Sequence, residues 1–510
     1  MPDVVGMVSP RPAVDRRDVL VRMVRAIARN SDDRLHTYEH ESLGLTAAWT
    51  SRGAEAGRQS VWREDRKGIS ILTGELADGD WFDDYDKRGI AAVTGLNGWF
   101  VGLAVDLRRQ RCYLFNDRFG MSRLFIHERD DGIYFATTAA ALLAAFPETR
   151  AFDEQGVAEY LVADCTLGSS SIFKGITILP AGSLWSWDQG RVDRRTYFNP
   201  VEWEQQSRLT VDTFSEELRA LLPAVVQRWQ PPKRAAVSLT AGLDSRMLMS
   251  CLNDAPDAYP CYTFGSMYRD TFDVKIARSV AAACRQPHTT FVLGDEFLRE
   301  FPRYMEEAVG RSSGYLGMSG AAELFLNRQA RAVSPSRLTG NYGSELLRGA
   351  RAFKARVPDW VVWSTGQPAL RQAVHVFDQA AAVNPVSFAL FCQAPHQGFG
   401  RRAIESSQLA IRSPFLDNDL ARLAYRAPLG RHAGTTACVS VIEHHKPRLL
   451  AIPTDRGYLG RGTALTRAVR RGHRELLFKG EYLAGHGMPH TLAAALSMLP
   501  LLGSIGAIDD

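Results

Sequence analysis

The sequence predicts an α/β protein in two parts, a β-rich, sandwich-like layer followed by a parallel sheet covered by helices. Three observations carry this. The first two hundred residues hold short runs rich in β-branched and aromatic side chains, at residues 68–73, 99–106 and 111–115, with charged or glycine-containing turns between them. After Asn199-Pro200 apolar residues recur at helical spacing from Phe214 to Trp229, until Pro231-Pro232 stops them. From Ala235 strand-like runs (235–239 and 259–264) alternate with helix-like ones (244–252 and 273–284), and strands so poor in polar residues need cover on both faces.

At 510 residues the chain exceeds one hydrophobic core. The change of texture puts a boundary near residue 205, giving domains over 1–205 and 206–510, the second mostly helical beyond about residue 350. A surplus of 61 basic over 56 acidic residues is too small to mark a nucleic-acid partner. Part of it lies between Arg456 and Lys479, which reads as a solvated helix face or a contact for phosphates. Seven cysteines without CxxC spacing argue against a disulfide framework or zinc site and fit a reducing, cytoplasmic location. The opening residues lack a secretory layout. Residues 482–508 carry no charge but are broken by glycines and prolines, so a packed segment is expected there rather than a membrane span.

The most informative stretch is Val237-Ser-Leu-Thr-Ala-Gly-Leu-Asp-Ser-Arg246, in which a strand runs into small residues and a helix opens at Asp244-Ser245. Small side chains let backbone N–H groups and a helix N-terminus approach an anion. Thr240 and Ser245 add hydroxyl donors, and Asp244 is placed to hold a Mg²⁺ that bridges phosphate oxygens. An ordinary turn would also account for this stretch taken alone. Residues 240–245 resemble the SGGxDS loop of the ATP pyrophosphatases, and within them the asparagine synthetase family, with Thr240 and Ala241 in place of Ser and Gly. The resemblance implies ATP held by Ser238, Leu239, Thr240, Ala241, Gly242, Asp244 and Ser245. It adds Thr263, Phe264 and Gly265 at the end of the next strand and Gly340 in a second loop.

That second loop, Thr339-Gly-Asn-Tyr-Gly-Ser-Glu-Leu-Leu-Arg-Gly349, resembles the family's metal-binding loop. In register with the Gly-Tyr-Gly-Ala-Asp of β-lactam synthetase, Tyr342 falls on the catalytic tyrosine and Glu345 on the Mg²⁺-binding aspartate. Asp244 and Glu345 thereby become the metal pair. A helix start capped by Ser344, with Glu345 in its first turn, is the plainer alternative. Arg412-Ser-Pro-Phe-Leu-Asp417 is similar to the family's VPFLD segment, and residues 451–457 stand at its late LP(x)nRxK segment. The lysine there steadies the acyl-adenylate. No equivalent lysine is present; Arg456 is the first candidate and Lys446 the second, and either would serve equally as a surface cation.

Residues 96–106, 115–125 and 134–137 resemble the LNGxFAxxxxD, RDxxGxxPLYY and FASE blocks of class II glutamine amidotransferase domains, and residues 171–182 the TIFKGIxxLPPG turn that ends this domain in asparagine synthetases. The family's chain starts MCGIxG, with the cysteine as nucleophile. Here Pro2 takes that place, and a proline has no thiolate or hydroxyl. The first cysteine is Cys112, inside an expected strand. The glutamine-holding arginine of LGHRRLAI has no counterpart in residues 43–49, and NGE reads Thr73-Gly74-Glu75. Asp117 and Arg118 are kept, and an internal ion pair between them is expected.

Together the resemblance spans about residues 1–460. It implies an αββα-type, glutaminase-like β-sandwich without glutaminase activity, followed by a parallel-sheet ATP-pyrophosphatase domain. The implied reaction is carbon–nitrogen ligation: a carboxylate of a small molecule or peptide is adenylated, and ammonia or an amine displaces AMP. The amine stays open between free ammonia and one on the substrate itself, closing a ring as β-lactam synthetase and lasso-peptide cyclases do. No nucleic-acid or membrane partner is expected, and the resemblance admits a homodimer. The rival is a non-catalytic ATP-binding scaffold, which has no need to keep Asp244, Ser245 and Glu345 together.

Overall fold

A computed structural model describes residues 3–27, 33–51, 60–77, 79–188, 191–231, 234–253, 255–266, 270–350, 368–428 and 431–454. Pro2, Arg456, the 456–479 stretch and the 482–508 segment lie outside them.

Two six-stranded antiparallel sheets occupy the N-terminal part. One runs, in spatial order, Ile176–Ile178, Phe125–Arg129, Gly132–Ala136, Val4–Val8, Leu45–Ser51 and Arg34–His40. The other runs Arg191–Thr196, Ser183–Asp188, Arg111–Asn116, Gly98–Asp106, Gly68–Leu76 and Ser60–Asp65. The pleat explains why their central strands read as unbroken apolar runs. Along Gly98–Asp106, Val101, Leu103 and Val105 enter a core shared with Trp49 and Phe135 of the opposite sheet. Phe100 and Ala104 point the other way, onto Trp81 and Val93. Strand Val4–Val8 does the same, with Val5 and Met7 under Val19 and Met23 of helix Ala13–Ala26.

The order is thus helix, sheet, sheet, helix. The reading of this region as strands and turns misses helices Ala13–Ala26, Trp81–Arg88, Ala139–Ala145 and Glu154–Ala163. Their apolar stripes are short and interrupted by charge or lie in alanine-rich stretches, so periodicity gave them little weight.

The C-terminal part is a five-stranded parallel sheet in the order His288–Phe291, Cys261–Phe264, Ala236–Ser238, Ser336–Thr339, Ala410–Arg412. Helices such as Val211–Arg228, Leu243–Cys251, Phe272–Ala283 and Arg431–His445 pack around it. The chain steps outward from the central strand to His288–Phe291, then returns to the opposite side of the centre with Ser336–Thr339. Strand order therefore reverses beside Ala236–Ser238. In open α/β sheets the crevice beyond the carboxyl ends of the strands at such a reversal is where ligands bind.

The two parts are tied together by buried polar contacts. Arg412 pairs with Glu75 at 2.8 Å, both side chains under a tenth exposed. Asn97 Nδ2 donates to Asp417 at 2.7 Å, Asn418 Nδ2 to the Leu96 carbonyl at 2.9 Å, and Arg402 Nη2 to the Met121 carbonyl at 2.7 Å. The LNG block and the Arg412–Asp417 segment thus meet each other. Glu75 serves this seam.

Asp117 and Arg118 form no ion pair, which corrects the expectation. The fully buried Asp117 carboxylate accepts from four backbone amides, those of Phe100, Phe119, Met121 and Ser122. Arg118 turns away from it, donating to the Thr94 carbonyl at 2.8 Å and lying 4.9 Å from the Phe198 ring centroid. A turn rich in inward-pointing amides needs an acceptor more than a cation. Asp117→Asn, which sets an NH₂ group against those donors, is expected to lower stability by about 2–4 kcal/mol in urea unfolding, and an unchanged midpoint would contradict it.

All seven cysteines are free. Cys112 lies buried in strand Arg111–Asn116, where burial pushes its thiol pKa up to about 12, so it offers no thiolate. Among the described residues no helix is long and apolar enough to cross a membrane.

Candidate active site

Strand Ala236–Ser238 delivers residues 239–242 to the reversal point, and helix Leu243–Cys251 leaves from it. The loop is held from several sides. Thr263 Oγ1 donates to the Leu239 carbonyl at 2.9 Å and contacts His288 Nε2 at 3.0 Å. The Ala241 amide donates to Asp273 Oδ1 at 2.6 Å, the Thr240 amide to Ser245 Oγ at 3.3 Å, and the Gly242 amide to Thr240 Oγ1 at 3.2 Å. These bonds fix the hydroxyls of Thr240 and Ser245 at the mouth of the helix. No side chain caps that helix at Gly242. An anion seated on its first-turn amides would satisfy them.

The second loop presses directly on the first. A Cβ added at Gly340 would lie 2.6 Å from the Ser245 nitrogen, and one at Gly343 2.9 Å from Asp244 Cγ. Only glycine allows this approach, which accounts for the Gly-Asn-Tyr-Gly pattern better than a plain helix start does. Tyr342, between them, has φ 72°, a left-handed conformation that costs a non-glycine residue about 1 kcal/mol or more and is characteristic of functional turns. Gly265 is tight as well, its added Cβ falling 2.7 Å from Thr290 Cγ2.

Asp244 and Glu345 therefore stand on adjoining turns. Both oxygens of Asp244 accept from Arg348 Nη2 at 2.9 Å. Glu345 accepts from Ser344 Oγ at 2.8 Å and from Gln393 Nε2 at 3.2 Å. Among the described residues no three His, Cys, Asp or Glu side chains gather into a metal cage. Two carboxylates without a third suit Mg²⁺, which keeps waters and takes remaining ligands from phosphate. In this structure Asp244 is instead taken by Arg348, and Glu345 by Ser344 and Gln393, so either carboxylate would have to leave these partners to hold the ion.

A cavity of about 230 Å³ opens beside the loops, its walls including Ser238, Leu239, Thr240, Thr263 and Phe264. It also holds charges that sequence reading missed. Arg337 pairs with Glu405 at 2.9 Å and Arg401 with Glu323 at 3.2 Å. Neighbouring Glu405 and Tyr262 raise the Arg337 pKa against its burial. The available signal was Arg337 itself, a charge inside a buried parallel strand. Arg348 was missed too, although it closes the second loop.

The two cations proposed from sequence fare differently. Arg456 lies outside the described residues. Lys446 is buried, and its Nζ donates to the carbonyls of Met249 at 3.0 Å and Leu252 at 2.7 Å. It caps the C-terminal end of the nine-residue helix whose N-terminus forms the loop. That is about 12 Å from the loop at 1.5 Å per residue, which corrects its assignment as the catalytic cation. Tyr342 is half-buried, and its hydroxyl accepts from Arg402 Nη1 at 3.4 Å. Burial raises its pKa, with Arg402 pulling the other way.

Two family models match stretches of the chain. A glutamine amidotransferase domain model matches residues 82–198 and an asparagine synthase model residues 217–387, which include both loops. Asparagine synthetase [glutamine-hydrolyzing] 1 of Bacillus subtilis is 22% identical over 383 residues, 69% of this chain and 59% of that protein. Amidase chyE of Penicillium rubens is 24% identical over 230 residues, 39% of this chain and 33% of that protein. The chain thus spans 59% or less of these relatives' lengths. Among solved structures, the glutamine phosphoribosylpyrophosphate amidotransferase of B. subtilis aligns with 58% of this chain and 70% of its own, at 10% identity and a TM-score of 0.27. Both domain models in this order, with these distant relatives, support an asparagine synthetase-like and divergent family for the chain.

Proposed function

We propose that the chain is an ATP-dependent carbon–nitrogen ligase that adenylates a substrate carboxylate and joins it to ammonia or an amine, without glutaminase activity. The observation that supports this most is the contact of the two loops at the sheet reversal, which sets Asp244 and Glu345 on adjoining turns beside an uncapped helix N-terminus. The first-turn amides of Leu243–Cys251, with the hydroxyls of Thr240 and Ser245, would hold the pyrophosphate of ATP. Thr263, Phe264 and Gly265 would flank the rest of the nucleotide. Asp244 and Glu345 would hold Mg²⁺, whose charge neutralises phosphate oxygens.

A carboxylate oxygen of the substrate attacks the α-phosphorus, the bond to the bridging oxygen breaks, and pyrophosphate leaves. The amine nitrogen then attacks the acyl carbon, and AMP departs. Arg348 takes the charge-stabilising role for which Lys446 is misplaced. Tyr342, whose phenol is kept protonated by burial, orients the reacting groups rather than removing a proton.

Substrate-dependent exchange of labelled pyrophosphate into ATP tests the reading. Exchange with at least one carboxylate is expected, and none across a broad panel would favour the scaffold. Glutamine as the sole nitrogen donor should give no turnover, because Pro2 supplies no nucleophile and Glu75 is committed to Arg412. Glutamate release above background from purified protein would refute the second part.

A further inference from the structure

Strand His288–Phe291 lies at the edge of the parallel sheet, two strands from the one that feeds the phosphate loop. Its first residue is level with Cys261 of the neighbouring strand, and Thr263, two residues further on, shares that face. His288 reaches along this face, its Nε2 3.0 Å from Thr263 Oγ1. The described residues of the cavity wall beside the loops include Thr263 but not His288.

The chemistry of the acceptor fixes the direction of this contact. A carbonyl oxygen only accepts, so the single proton of the buried Thr263 hydroxyl goes to Leu239, 2.9 Å away. His288 must then donate from Nε2, which leaves Nδ1 of the neutral ring bare. Nδ1 is buried with no hydrogen-bond partner among the described residues, so a proton placed there would be a buried donor without an acceptor. Burial also lowers the His288 pKa, with Arg278 acting in the same direction and Asp270 against it, which keeps the ring neutral near pH 7.

The row of bonds continues into the loop. The Leu239 carbonyl and the Thr240 amide are two ends of one planar peptide, so a grip on the first aims the second. That amide donates to Ser245 Oγ at 3.3 Å, and Ser245 Oγ donates in turn to the Thr240 carbonyl at 3.2 Å. His288, Thr263, the 239–240 peptide and Ser245 thus form one row of donors running in a single direction, in which each bond polarises the next. It ends in the first turn of helix Leu243–Cys251, where pyrophosphate would sit.

We propose that His288 is a positioning residue for ATP, setting the phosphate loop through Thr263 without touching the nucleotide. This role rests on the reading of the loop as an ATP site. It requires a hydrogen-bond donor at the place of Nε2 and no titrating group. Glutamine carries an amide nitrogen at nearly that reach from the backbone, whereas asparagine stops at the reach of Nδ1.

Calorimetric titration of the full chain with ATP in magnesium buffer, alongside thermal unfolding, tests it. His288→Asn should weaken ATP binding about five- to tenfold, the loss of about one neutral hydrogen bond, while His288→Gln stays within about twofold of wild type. In a Thr263→Val background His288→Asn should add less than about twofold, since the relay is already cut. Equal losses in H288N and H288Q, or losses in H288N and T263V that simply multiply, would overturn the assignment. ATP binding by wild type that H288N leaves unchanged overturns it as well, whereas no ATP binding by wild type would remove the ATP site itself and this role with it. If H288N does not fold, ¹⁵N spectra of histidine-labelled wild type decide, the His288 signal being the one missing from H288Q. An Nε2–H tautomer whose signal shifts with ATP supports the role, and an Nδ1–H tautomer or an unmoved signal overturns it.

Discussion

Asp244→Asn is expected to reduce carboxylate-dependent pyrophosphate exchange by about 10²- to 10³-fold while leaving the protein folded, the loss typical of removing one preorganised charge from a site that handles transferring phosphates. The carboxylate sits at the mouth of the phosphate loop with both oxygens on Arg348. Asparagine keeps the shape but offers one weak oxygen to a cation and a misplaced NH₂ to the guanidinium. The Asp244–Arg348 side chains are each about one-fifth exposed, so solvent screens the pair and the stability change should be small. Glu345→Gln should cost less, because Gln393 and Ser344 already share that carboxylate. Arg348→Met separates two roles. With Arg348 stabilising charge at the reacting centre, exchange is expected to fall alongside D244N; exchange that rises or holds would show that it only immobilises Asp244. Full exchange activity in a folded D244N protein would remove the basis of the ligase reading.

Both loops were legible in the sequence for a physical reason. Where two backbones must touch, only glycine fits, and Gly340 and Gly343 advertise that contact to anyone reading residues alone. The parallel sheet was legible because a strand covered on both faces shows as a continuous apolar run. Cations were not. Lys446 carries the right charge at a plausible chain position, yet the fold uses it to satisfy the carbonyls of Met249 and Leu252. Arg348, whose sequence neighbourhood marks it as a helix end, is folded back onto Asp244. Long flexible side chains choose partners in three dimensions, and spacing along the chain records little of that choice. Asp117 and Arg118 fail as a pair for the same reason, since four amides of the chain itself outcompete the adjacent guanidinium.

The largest stability effect is expected at Asp417. This carboxylate is fully buried at the seam and accepts from Asn97 Nδ2 at 2.7 Å, Trp229 Nε1 at 3.0 Å, Arg228 Nη1 at 3.2 Å and the Asp419 amide at 2.9 Å. Asp417→Ala strands all of these donors, and breaking a buried charge from one side costs about 3–5 kcal/mol. In thermal unfolding that corresponds to a fall in Tm of about 3–5 °C for a chain of 510 residues. A drop worth less than about 1 kcal/mol would mean that water replaces the carboxylate and that the seam is loosely closed. Asn97 belongs to the N-terminal block and Asp417 to the C-terminal segment, so a double-mutant cycle with Asn97→Ala reports docking directly. Substantial coupling between them would show that these two blocks hold the domains together. Additive losses would instead confine Asp417 to its own domain, where Trp229 and Arg228 suffice to explain it.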